Sequence, residues 1–118
     1  MHRMFIVLGL SSFLLLTYDT ANAAGYTSYR AIDTIYVDGN VVIHFSSSSE
    51  NPDSCGWGSY PDWYVLVSTQ GGYSGILSTL LSASVANRNV KLLVDGCHTL
   101  FTGGVFPKIT RVYLDQAE

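Results

Sequence analysis

The sequence predicts a mainly β domain with a single helix, in the order β-β-β-α-β-β. Three observations carry that reading. Runs of β-branched and aromatic residues with period two flank Asp38-Gly39. The period turns helical only once, after Gly71-Gly72. Two more strand-like runs then follow, "VKLLVDGCH" and "KITRVYL".

The first strand is read at about residues 29–37, with Ala31, Asp33, Ile35 and Val37 on one side and Ile32, Thr34 and Tyr36 on the other. Asp-Gly between two such runs signals a hairpin, because the turn needs positive φ. The second strand is then expected at about 41–46. "SSSSENPDSCGWGSYPD", Ser46 to Asp62, is a long aperiodic loop whose serine run reads as solvated. "WYVLVST", Trp63 to Thr69, is the third strand.

In "YSGILSTLLSASVANRN" the residues Ile76, Leu77, Leu80, Leu81, Ala83 and Val85 recur at helical spacing and predict a broad buried stripe. Ser74 is the expected N-cap, and Asn87 or Asn89 the left-handed stop. Ser78, Ser82 and Ser84 are modest helix formers, so packing must hold this helix. The fourth strand starts at Val90 and runs into a tight turn at Gly96. The fifth spans about Lys108 to Leu114, with Pro107 near its start. Five strands with a helix between the third and fourth is the order of the OB-fold, a five-stranded, partly open Greek-key barrel. An open α+β sandwich is the competing architecture.

Residues 1–23 read as a segment apart. His2 and Arg3 precede the apolar run Met4 to Thr17, and Ala21-Asn22-Ala23 places small residues at a cleavage site. That is the pattern of a secretory signal peptide, shorter than a membrane span. It leaves 24–118 as one small domain, exported to the periplasm or beyond, with no membrane span after cleavage. A chain this short needs covalent help. In an oxidising compartment its two cysteines, Cys55 and Cys97, are expected to pair. A redox role would want CxxC spacing, which they lack.

Five cations, Arg30, Arg88, Lys91, Lys108 and Arg111, face eight carboxylates in 24–118. That balance argues against nucleic acid, which selects a basic stripe. His44 and His98 lack a nucleophile elbow, so no catalytic residue is assigned. With both thiols oxidised too few ligands remain for a metal, and no cofactor is expected. Glu50, Asp53 and Asp62 read as a solvated loop cluster, with Asp53 suited to bond nearby amides. The aromatics carry more: Trp57, Tyr60, Trp63 and Tyr64, with Tyr73 and Phe101 in other loops. Trp63 reads as core. Trp57, between Gly56 and Gly58, reads as exposed, and Trp57, Tyr60 and Tyr64 are the candidate binding residues.

"NPDSC", "LLSASVAN", "VKLLVDGC" and "FPKITRVYL", in this order, resemble a group of small exported bacterial proteins with an NPxxC…GC…FPxI pattern. More distantly, the element order and leader are similar to the B subunits of pertussis- and subtilase-type AB toxins. Those are disulfide-stapled OB-folds that form pentamers and bind sialylated glycans, and no binding residue is carried over from them. The resemblance implies a non-enzymatic, glycan- or protein-binding module able to form homo-oligomers. A periplasmic accessory or inhibitor protein is the alternative, and a small hydrolase the third reading.

Overall fold

The computed structural model describes residues 24–101 and 104–116, so the leader expected at 1–23 lies outside the described residues. The elements are β1 (Gly25–Tyr26), β2 (Ile32–Asp38), β3 (Asn40–Phe45), β4 (Trp63–Leu66), α1 (Tyr73–Ala86), β5 (Val90–Phe101) and β6 (Gly104–Leu114). Among the described residues the class is therefore mainly β with one helix, as expected. The strands form one sheet in the order β1-β5-β6-β4-β3-β2. Every pairing is antiparallel except β4 with β6.

Among the described residues six strands replace the expected five, and the sheet is not closed into a barrel. The added strand is the short β1, which pairs with β5 through Gly25–Val94 and Tyr26–Leu93. The chain stays beside β5 after β1. Thr27 N donates to Leu92 O at 2.8 Å, and Arg30 bridges Val90. It then crosses to β3 as β2. One N-terminal segment thus supplies both outer strands of the sheet.

Local chemistry explains most element ends. Gly39 turns the β2–β3 hairpin at φ +79°, the left-handed geometry that favours glycine. β4 stops at Leu66, three residues earlier than expected, because the chain turns at Val67–Gln70. There the Gln70 side chain accepts from Val67 N and donates to Ile109 O of β6 at 2.7 Å. Gly72 caps α1 in place of Ser74, and Asn87, at φ +60°, ends it as expected. β5 continues through Gly96 as an irregularity in the ladder, where the sequence suggested a turn.

Two apolar clusters sit on opposite faces of the central strands. Val41, Ile43 and Phe45 point with Tyr64, Leu66, Leu92 and Ile109 into the main core, which Leu80 and Ala83 of α1 cover. The helix rests against β6 and β2. Val42, Val65 and Phe106 form a second cluster on the other face. The stripe on α1 is narrower than expected: Leu81 is 43% and Val85 88% exposed. At 100° per residue these two lie well round the helix from Ile76, Leu80 and Ala83, so a sheet on one side cannot reach them.

Candidate binding face

The loop from Ser46 to Asp62 was the expected site, and the structure shows it as a bonded cover. Asn51 clamps Cys55 in both directions: its Oδ1 accepts from Cys55 N at 2.9 Å and its Nδ2 donates to Cys55 O at 2.8 Å. Cys55 is disulfide-bonded to Cys97, as expected. Asp53 Oδ2 accepts from Gly96 N across the fold at 2.6 Å. Asp62 accepts from Ser49 N and Oγ, at 2.8 and 2.9 Å. Asp53, Asp62 and Ser49 are therefore engaged in holding the loop, while Ser46, Ser47 and Ser48 are exposed, as the solvated reading of the serine run expects.

Glu50 is the hub. Its carboxylate accepts from Ser28 N, Ser28 Oγ and the Arg30 guanidinium at 2.9 to 3.3 Å, and Arg30 also donates to Ser47 Oγ. Its carbonyl accepts a short hydrogen bond from the Tyr64 hydroxyl. Partial burial pushes the Glu50 carboxyl up, but the Arg30 and Ser28 donors outweigh it and hold it at about 2. A folded-state value below the unfolded one adds stability that is complete above the ordinary carboxylate range and is lost as pH falls towards 2. Glu50→Gln should therefore flatten the acid limb of a melting-temperature–pH curve and cost about 1 kcal/mol at neutral pH, after discount for solvent screening. Asp33, held low by its bond to His44, keeps part of that limb. An unchanged acid limb would show that the Glu50 hub carries no stability.

The loop aromatics pack inward. Tyr64 is fully buried in the main core, which removes it from the candidate binding residues. Its phenol is pushed far up, chiefly by burial. Trp57 is half-buried, against the expectation of an exposed ring. It touches both apolar clusters, stands edge-on to Tyr64 at 5.8 Å, and donates from Nε1 to Trp63 O at 2.7 Å. Tyr60 covers Phe106 edge-on at 6.0 Å. Trp57 and Tyr60 share a physical reason: the outer face of β3, β4 and β6 is apolar, and this loop helps cover it. Tyr73 bonds Gly39 O from the helix start, and the Phe101 ring lies outside the described residues.

Exposed aromatic surface lies elsewhere. Tyr26 is 51% and Tyr29 42% exposed. Together with Tyr113 they surround the Lys91 ammonium, which sits 5.1, 5.3 and 4.9 Å from the three ring centroids. Sheet register builds this group, because Lys91 lies opposite Tyr113, Leu93 opposite Arg111, and Tyr26 opposite Leu93. Arg111 Nη1 donates to the Tyr113 hydroxyl at 3.2 Å. That bond, with the Tyr26 hydroxyl and the nearby Lys91 charge, lowers the Tyr113 phenol, while the same contact with Tyr113 raises Tyr26. Each cation–π contact at such a site contributes about 0.5–1 kcal/mol. Sequence reading missed these five residues. A partial signal was parity in β5, where Lys91 alternates with the apolar Val90 and Leu92; in β6 the ladder irregularity beside Leu93 and Val94 puts Arg111 out of step with buried Ile109, so parity there misleads.

Arg111 also borders a shallow groove of about 440 Å³ between the start of α1 and β6. Gly71, Gly72, Gly75 and Thr79 form one side, with Thr110 on the other. On the sheet's far side, a bulge in β2 brings Asp33 within 2.8 Å of His44 Nδ1, and the imidazole stacks on Trp63 at 4.8 Å. The Thr34 hydroxyl bonds the Asp33 carboxylate, and no described hydroxyl bonds the ring. Among the described residues no group of three or more His, Cys, Asp or Glu could hold a metal ion, and no helix is long and apolar enough to cross a membrane. The chain matches no family model, no curated protein and no solved structure.

Proposed function

We propose that this chain is an exported, non-enzymatic binding module of OB type, whose contact face is Tyr26, Tyr29, Lys91 and Tyr113. The observation that carries it is the set of exposed tyrosine rings fixed around one lysine. Aromatic rings held rigid on a sheet offer contact area at little entropic cost. The OB reading is supported by the parallel β4–β6 pair, the helix between β4 and β5, and an N-terminal segment that reaches both sheet edges. Export is supported by the leader pattern in 1–23 and by the disulfide. The non-enzymatic reading rests on the sequence, in which neither His44 nor His98 is accompanied by a nucleophile elbow. A homo-oligomeric, toxin B-subunit-like protein that binds a glycan is the sharpest form of this proposal, and a periplasmic accessory protein with a protein partner its alternative.

The test is retention of the full chain on a glycan array, compared with a Tyr26→Ala/Tyr29→Ala variant. Loss of binding by roughly tenfold or more, with an unchanged melting temperature, is the expected result. Equal retention of both proteins would remove this face from the proposal.

A further inference from the structure

We infer that Tyr26 and Tyr113 form an oxidative cross-linking site, at which a peroxidase fed by hydrogen peroxide joins the two rings as dityrosine. The inference is independent of what the face binds. It needs only the two phenols, and its product ties β1, the first described strand, to β6, the last.

Placement is the first argument. Tyr26 lies opposite Leu93 and Tyr113 opposite Lys91, so the two tyrosines stand on the strands that flank β5. Their rings reach over β5 and meet with centroids 5.9 Å apart, inclined at 59°. Their hydroxyl ends interact. The carbons ortho to the hydroxyls lie at those same ends, and they are where a phenoxyl radical carries spin and where dityrosine is joined. Among the described residues no other two tyrosine rings are in contact.

Electron supply is the second argument. The Arg111 donor, the Tyr26 hydroxyl and the nearby Lys91 charge hold the Tyr113 phenol below its ordinary value, which favours the electron-rich phenolate. Tyr113 therefore gives up an electron more readily than an isolated tyrosine. In the balanced step each phenol loses one electron and its hydroxyl proton, and the two radicals pair to form one carbon–carbon bond between ortho carbons. The hydrogens on those carbons then move to the oxygens and restore both phenols. The two electrons and two protons released reduce one hydrogen peroxide to two waters at the peroxidase.

Competition is the third argument. Thiols and thioethers ordinarily intercept oxidants before phenols do. Here both cysteines are already paired with each other, and both methionines, Met1 and Met4, lie in the segment read as a leader. Trp57 and Trp63 are partly buried against the second apolar cluster. Tyr26, by contrast, is 51% exposed and within reach of an oxidant in solution. Tyr36 on β2 is equally open, at 48%, but no tyrosine ring among the described residues touches it. Exposure alone therefore does not select the site; the ring pair does.

The experiment treats the folded chain, its disulfide formed, with a haem peroxidase and limiting hydrogen peroxide, and follows dityrosine fluorescence and peptide mass. The expected product is a monomer lighter by two hydrogens, in which one cross-linked peptide pair joins Tyr26 to Tyr113. Tyr26→Phe and Tyr113→Phe keep the rings and remove the hydroxyls, and each should abolish this product. Tyr36→Phe should leave its yield unchanged. Circular dichroism melts check that all three variants fold. Dityrosine found only between chains, or formed within the chain at undiminished yield in Tyr26→Phe or Tyr113→Phe, would overturn the site. So would a chain that forms no dityrosine under conditions in which the same peroxidase couples free tyrosine.

Discussion

Removing the Cys55–Cys97 disulfide, by reduction or by the Cys55→Ser/Cys97→Ser double variant, should lower stability by about 4 kcal/mol. For a domain of this size that moves the melting temperature down by roughly 15–30 °C. The bridge spans 42 residues, which include β4 and all of α1. In the chain-entropy account a loop of that length is a large restriction on the unfolded chain. On the folded side the bridge belongs to a cluster of ties at one place. Asn51 clamps Cys55, Asp53 bonds Gly96, and Gly56 O accepts from Val105 N at 3.1 Å. Its loss would loosen the cover over Val42, Val65 and Phe106 as well. Thermal melting by circular dichroism, with and without reductant, measures this, and an unshifted curve would refute it.

Trp57→Ala should destabilise the domain by about 3 kcal/mol, an effect expected of a core aromatic. The indole touches both apolar clusters and closes against the edge of Tyr64. Truncation leaves a void between them that the constrained loop cannot refill, and forfeits the 2.7 Å bond to Trp63 O. Urea unfolding should show a lower midpoint at an unchanged slope. A surface recognition residue would behave in the opposite way, with stability retained and binding lost. Tyr29 serves as that control, because it is 42% exposed and lies outside both clusters.

The contrast between these two residues shows what the sequence made legible. Asp38-Gly39 announced its hairpin because turn geometry is local, and α1 announced itself through Ile76, Leu80 and Ala83. The cysteine pair followed from compartment and count. Trp57 was misread because glycines on both sides describe only its backbone. The reason for its burial lies in Val42 and Phe106, which become one face only after β3, β4 and β6 assemble. β1 escaped notice because two residues carry no periodicity, and their pairing with β5 is non-local. The tyrosine–lysine face was hidden for the same reason, since Tyr26, Lys91 and Tyr113 meet only through register.

The position of β6 has a consequence for the order of assembly. It is the latest described strand along the chain, yet it lies in the middle of the sheet, between β5 and β4. Before it arrives, the β4-β3-β2 half and the β1-β5 half share no ladder. An emerging polypeptide of this design cannot complete its sheet from the N-terminus onward. β4 and β5 each wait with the edge that β6 will fill, and closure of long loops then sets the pace. The chain would remain threadable through a narrow passage until late, and then consolidate around Phe106 and Ile109 in one cooperative step.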